Sequence, residues 1–172
     1  MHKRTGSLWG EVIKMTQLTL RPATAADTTA IANVVRESWL DANGQILPGD
    51  AFKAAAHSNH LGGVVAREWH NIHVALVDGV IVGAVGVNTT GVIWMLYVLP
   101  EFQGCGIGSG LYNAAIGSLR QAGQRKAHLE VLAANEGAVA FYRTRGWVPE
   151  GRRTEHIPGF RFTAVRMGLA LS

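Results

Sequence analysis

A single cysteine, Cys105, stands in a chain of 172 residues, which excludes an intramolecular disulfide and any zinc site built on paired thiolates. Long apolar runs are missing as well. No stretch approaches the roughly 20 residues that a membrane-spanning helix needs, so no membrane partner is expected. Residues 1–16 carry Lys3 and Arg4 but no continuous apolar segment with a small-residue cleavage site. No secretory signal is therefore expected, and a reducing cytoplasm is the expected compartment. Charged side chains make up only 16% of the residues, with a formal net charge of +4. The basic residues are dispersed, apart from Arg120, Arg125, Lys126, Arg143, Arg145, Arg152 and Arg153 in the later part, and they lack interleaved aromatics. That pattern argues against a nucleic-acid partner, and a small anionic ligand explains the bias with less surface. His57 and His60 have an i, i+3 spacing but no carboxylate or third ligand beside them, so no metal is expected.

What is present is enough apolar material, 48% of residues, for one domain with a sizeable core. Residues 1–16 read as an extension or leader, with Met15 as an alternative beginning, and residues 17–172 as a single domain. Leu18 and Leu20 alternate with Thr19 and Arg21 as a first strand closed by Pro22. Thr24 and Asp27 resemble a capping box ahead of Ile31, Val34, Val35, Ser38 and Trp39 at helical spacing. Glycines and Pro48 break the stretch from 43 to 63, with a short helix expected over 52–57. Two β-branched runs flank Asp78-Gly79, a hairpin with a type I′ turn. A strand follows over 92–98, then a helix over 108–122 stopped by Gly123, a strand over 127–132, a helix over 136–145 stopped by Gly146, and a last strand over 162–169. The order β-α-(α)-β-β-β-α-β-α-β-β predicts an α/β fold of the α+β kind on a mixed sheet.

After the 92–98 strand the chain reads Val98-Leu99-Pro100-Glu101-Phe102-Gln103-Gly104-Cys105-Gly106-Ile107-Gly108. Glycines at alternate positions let backbone N–H groups converge without Cβ atoms in the way, and the helix that starts here adds its unpaired N–H groups and positive dipole end. A strand, a Gly-rich turn and a helix N-terminus together form a pyrophosphate cradle. Spacing separates it from two other phosphate loops. A Walker A loop requires Gly-Lys-Ser/Thr, and here Gly108 is followed by Ser109 with no Lys. The dinucleotide fingerprint opens a first βαβ unit, whereas this loop lies past the middle of the chain.

The stretch Val98-x-Pro100-x-x-Gln103-Gly104-x-Gly106-Ile107-Gly108 resembles the acetyl-CoA motif of the GCN5-related N-acetyltransferases. A second block, Asn135-x-x-Ala138-x-x-Phe141-Tyr142-x-x-x-Gly146-Trp147, is similar to that family's downstream pattern, and the hairpin from Val77 to Gly83 resembles its second and third strands. Leu129-Glu130-Val131 followed by Asn135 and Tyr142 resembles the ribosomal-protein alanine acetyltransferases. The resemblance covers residues 18–169. It implies a mostly antiparallel sheet of six to seven strands flanked by about four helices and splayed between the fourth and fifth strands. It implies transfer of the acetyl group of acetyl-CoA, as co-substrate and without a metal, to a primary amine in a ternary complex; relatives often dimerise.

The resemblance also implies roles. Backbone N–H groups of Gln103, Gly104, Cys105, Gly106, Ile107, Gly108 and Ser109 would hold the pyrophosphate, and Leu96, Tyr97 and Val98 would pair with the pantetheine arm. An N–H near Leu96 to Val98 would polarise the thioester carbonyl, a contribution of about 2.7–4 kcal/mol per donor in other acyl-transfer enzymes. Asn135 would contact the arm, although its position before Glu136 also suits a helix N-cap. Tyr142 would be the general acid and cofactor contact, against a reading as a packed aromatic beside Phe141. Many relatives place a basic Glu on the fourth strand, but Ile93-Trp94-Met95-Leu96 has no carboxylate; Glu130 is the candidate base, or else a solvent-facing strand residue. His73 could relay a proton through water; His70 is a further histidine without an assigned role. Trp39, Asp41 and Trp69, with Leu47 and Phe52, are expected to bind the acceptor, and Glu37 is a second candidate to attract an ammonium. Arg143 and Arg145 could meet the 3′-phosphate or simply be solvated. Direct transfer needs no nucleophilic Cys105. An acyl-CoA-binding or sensing module without transferase activity is the alternative.

Overall fold

The computed structural model describes residues 17–50, 53, 60–157 and 160–172. The expected extension over 1–16, the short helix over 52–57, Phe52, His57 and the side chain of His60 lie outside the described residues. The Asp78-Gly79 turn forms as its residue types require, with φ of 49° and 82°. It joins β2 (Ile72–Val77) to β3 (Val80–Val87), and β4 (Ile93–Val98) pairs with the far side of β3. The opening strand β1 (Leu18–Pro22) closes this sheet against β2, giving the order β1-β2-β3-β4 with all pairs antiparallel. The second sheet has the order β5-β7-β6, from β5 (Lys126–Leu132), β6 (Val148–Ile157) and β7 (Phe160–Ala170), again antiparallel throughout.

Period-2 and period-3.6 apolar patterns meet on both faces of the first sheet. Ile72, Val74 and Leu76 point toward α1 (Thr28–Asn43) and α2 (His60–Glu68), where they bury Ile31, Val34, Val35 and Val65. Ala75, Val77 and Val85 face the other way, onto Leu111, Ala115 and Leu119 of α3 (Ile107–Gln121). That second core continues through Tyr142 of α4 (Glu136–Arg143) and Trp147 to Leu129 and Met167 of the second sheet. The expected capping box forms, with Thr24 as N-cap and Asp27 at N3. A 3-10 turn over Ala25–Asp27 precedes α1, and the Asp27 carboxylate accepts from the Thr24 N–H at 2.7 Å and from its hydroxyl at 2.9 Å. Arg21 completes this corner with an ion pair to Asp27 at 2.7 Å.

The two sheets touch along one short seam. Val92 bridges His128 in parallel, and the His128 N–H donates to the Gly91 carbonyl at 2.9 Å. Beyond that point β4 and β5 separate, which is the splay expected between the fourth and fifth strands. The turn feeding the seam is held by Asn88, whose Oδ1 accepts from Thr90 N–H at 3.0 Å, Thr90 Oγ1 at 2.9 Å and Val92 N–H at 2.9 Å. Gly91 has a φ of +87°, and a Cβ there would lie 2.7 Å from the Lys126 carbonyl oxygen. Among the described residues no helix is long and apolar enough to cross a membrane.

Gly91→Ala should therefore combine left-handed strain of about 1–2 kcal/mol with a collision against β5. Urea unfolding should show a loss of at least about 2 kcal/mol. An unchanged midpoint would mean that the seam does not depend on this approach.

Candidate active site

The Gly-rich turn is built as its glycines demand. Gly104 and Gly106 have φ of +74° and +82°, a region that side chains with a Cβ rarely enter. Gly106 caps α3, and the first bond of that helix runs from the Gly110 N–H to the Gly106 carbonyl at 3.0 Å. The N–H groups of Ile107, Gly108 and Ser109 consequently have no intrahelical acceptor. No internal backbone acceptor serves Gly104, Cys105 or Gly106 among the described residues either. The turn thus presents consecutive free donors at the positive end of a helix dipole. The Gln103 side chain folds back, its Nε2 donating to the Val98 carbonyl at 3.0 Å. Cys105 is exposed, with its thiol 3.7 Å from the Gln103 carbonyl.

Arg145 is fixed beside this turn. Its Nη2 donates to Ser109 Oγ at 2.7 Å, its Nη1 to the Phe141 carbonyl at 2.8 Å, and its guanidinium lies 3.5 Å from the centroid of the Phe141 ring. Arg143, two residues earlier at the end of α4, is exposed and does not line the cleft.

The open edge of β4 can be read from alternation. The Leu99 N–H bonds back to Val82 of β3 at 2.9 Å, so Tyr97 shares that direction, and Leu96 and Val98 aim their main-chain groups at the gap left by the splay. The Val98 carbonyl is taken by Gln103, which leaves the main-chain groups of Leu96 and the Val98 N–H along the free edge. A bulge between Gly86 and Val87 leaves Trp94 as the extra residue on β4.

Two cavities with a shared wall occupy the gap. One, of about 520 Å³, is lined by the Gly-rich turn, Ser109, Phe141 and Arg145. The other, of about 870 Å³, opens toward α1 and the β6–β7 hairpin. They share Leu96, Val98, Gln103, Gly137, Ala138 and Tyr142. Tyr142 is 8% exposed, with its ring edge-on to Phe141 and Trp147, and its hydroxyl has no hydrogen-bond partner among the described residues. Burial, and then the neighbouring Tyr97 and Tyr112, push its phenol well above the usual tyrosine range. Burial also pushes Tyr97 up to about 12.

The larger cavity gathers several residues singled out from sequence: Trp39, Asp41, Leu47, Glu130 and Asn135. Asn135 caps α4, its Oδ1 accepting from the Ala138 N–H at 3.0 Å; the residue lines the cavity, and its Nδ2 has no hydrogen-bond partner among the described residues. Glu130 accepts from Arg153 Nη2 at 3.2 Å, and Arg153 also pairs with Glu155. Other candidates are not brought here. Trp69 packs edge-on to the exposed His70 in a 3-10 turn after α2, lining neither cavity, and Glu37 is exposed outside them. His73 shares a face of β2 with Ala75 and Val77, away from α1; burial lowers its pKa and its Nδ1 is unpartnered. Residues not anticipated complete the wall: Ser38, Asn43, Trp94, Glu155 and Phe162. Among the described residues no cluster of His, Cys, Asp or Glu could hold a metal.

A splayed pair of antiparallel sheets around such a cleft is the architecture of an acetyltransferase fold. Residues 31–147 match the family described as the Acetyltransferase (GNAT) family, and the chain belongs to it. A mycothiol acetyltransferase of Saccharomonospora viridis is 32% identical over 121 residues, which is 70% of this chain and 35% of that protein. The chain thus spans about a third of the length of that curated relative. A GCN5-related N-acetyltransferase from Rhodopseudomonas palustris superposes with a TM-score of 0.79 at 23% identity, over 94% of this chain and 100% of the other. The ribosomal-protein-S18-alanine N-acetyltransferase of Escherichia coli superposes with a TM-score of 0.65 at 19% identity, over 91% of this chain and 95% of the other.

The two functions open to Asn135 can be separated. Asn135→Ala should cost about 1 kcal/mol in urea unfolding through loss of the cap. Asn135→Asp should keep that stability, because a carboxylate oxygen caps equally well at a helix N-terminus. A full loss in the Asp variant would show that the amide nitrogen, not Oδ1, holds the helix.

Proposed function

We propose that residues 17–172 form an acetyl-CoA-dependent N-acetyltransferase, which joins the acetyl group to a primary amine by direct attack while both substrates are bound. One observation carries the reading: Tyr142, whose hydroxyl has no hydrogen-bond partner among the described residues, lines both the cavity of the Gly-rich turn and the larger cavity. The residues suit the cofactor. The free N–H groups from Gly104 to Ser109 match a pyrophosphate in donor type and charge, and Arg145 adds a fixed cation beside them. Leu96 and Val98 offer an unpaired strand edge to an amide-bearing arm, and Asn135 Nδ2 offers a further donor.

Acetyl-CoA, when bound, supplies an acetyl group activated as a thioester. The chain's contribution is positioning, exclusion of water and proton handling. A carbonyl seated against the free edge of β4 would meet an N–H of Leu96 or Val98. As the amine nitrogen forms the amide bond and the carbon–sulfur bond breaks, the amine must release a proton and the sulfur must gain one. Tyr142 holds a proton on its phenol oxygen at any working pH, since burial raises its pKa; it would pass that proton to the sulfur as the carbon–sulfur bond breaks and regain one from solvent after the products leave. Glu130, which lines the larger cavity, would take the amine's proton, directly or through water, once Arg153 swings aside. Cytoplasm, where Cys105 stays reduced, is the compartment that fits.

Acetyl-CoA at about 100 times its Kd should stabilise the protein by about 2.7 kcal/mol, read as a rise in Tm. No rise at saturation would sink the cofactor assignment. Tyr142→Phe keeps the packed ring and should lower kcat about a hundredfold with little change in the acetyl-CoA KM. Unchanged turnover would remove the acid role.

A further inference from the structure

Every charged residue that lines the acceptor cavity is an acid. Asp41, Glu130 and Glu155 line it, and no Lys, Arg or His does so among the described residues, in a protein whose formal net charge is +4. A basic chain with an acidic pocket has concentrated acceptors of positive charge at one place.

Two further oxygens point the same way. Ser38 and Asn43 are 2% and 3% exposed, both line this cavity, and Ser38 Oγ and Asn43 Oδ1 have no hydrogen-bond partner. Asn43 uses its Nδ2 on the Trp39 carbonyl at 2.8 Å, so the leftover atom can only accept. Both oxygens are closed off in this structure, so a ligand N–H that reached them through a small shift of α1 would relieve the cost of leaving them unpaired. The walls between these groups are aromatic, from Trp39, Trp94 and Phe162, surfaces on which an ammonium or its methylene stem packs well.

The chain itself supplies a cation for part of this site. The Arg153 guanidinium reaches Glu130 with Nη2 at 3.2 Å and Glu155 with Nε, although its exposed side chain does not line the cavity. A locus that draws in a surface arginine is built to hold positive charge.

Resting on the transferase reading above, we propose that the acceptor carries at least two ammonium groups, as in a diamine or polyamine. One amine reacts at the Tyr142 junction while a second is held by Glu155 and Asp41. A free amino acid fits poorly, because its carboxylate would face three others. Glu155 is thereby a specificity-determining residue, and Arg153 is the counter-ion that the substrate displaces.

The test compares three amines of one chain length: cadaverine, pentylamine and aminovaleric acid, followed by thiol release. Cadaverine should exceed pentylamine in kcat/KM by about tenfold, aminovaleric acid should fall below both, and the gap should narrow with salt. In Glu155→Gln, checked for wild-type Tm, the cadaverine-to-pentylamine ratio should fall toward one through KM. Arg153→Ala frees both carboxylates and should lower the cadaverine KM. Equal kcat/KM for the three amines, or a ratio untouched in Glu155→Gln, would overturn this inference while leaving the transferase reading intact. No turnover of any amine despite a Tm rise with acetyl-CoA would overturn the transferase reading, and this inference with it.

Discussion

The short seam at Gly91, Val92 and His128 is the constraint on which the rest depends. A strand edge left unpaired is ordinarily a liability, since its N–H and C=O groups need partners. Here the two sheets meet closely enough at one point to share cores, and then part. The close approach of Gly91 to the Lys126 carbonyl sets the vertex, and the Asn88 turn holds it from behind. Everything placed in the gap follows from that angle: the free edge of β4, the capped start of α4 opposite it, and the Gly-rich turn at its mouth.

A rigid aromatic group keeps the gap from collapsing. Tyr112, Phe141, Tyr142 and Trp147 contact one another edge to face, and Trp147 Nε1 donates to the Tyr112 hydroxyl at 3.0 Å. Arg145 lies across the Phe141 face and ties this group to Ser109 of the turn. The same burial that fixes the Tyr142 ring keeps its phenol protonated, so packing and proton-holding have one cause. Its hydroxyl escapes this network and is left for the cleft.

Legibility in the sequence followed the physical origin of each feature. The Asp78-Gly79 hairpin, the Gly-rich turn and the helix stop at Gly146 were readable because positive φ leaves few residue choices. The two core faces were readable from period. Glu155 and Phe162 were not, because their approach to the cavity depends on the β6–β7 register, where Glu155 pairs with Phe162, and no local pattern announces which face such residues take. Ser38 was read as one more residue on the buried face of a helix; that its hydroxyl is unpartnered is a tertiary fact. Trp69 shows the converse case, since it lines neither of the two cavities. Aromatic character suggested a pocket wall, whereas the chain direction after α2 carries it elsewhere.

This contrast has a physical reading. The side of the cleft at the Gly-rich turn is made largely of main-chain groups, so its signature is the absence of side chains: glycines, a helix start, a free strand edge. Many sequences can satisfy it, provided those few positions stay small. The side toward α1 is made of side chains drawn from α1, β4, β5 and the β6–β7 hairpin, separated by more than a hundred positions between Ser38 and Phe162. Each can change without disturbing the backbone cradle. A fold divided in this way can keep its backbone cradle while its side-chain wall varies, and in this chain that wall is acidic and aromatic.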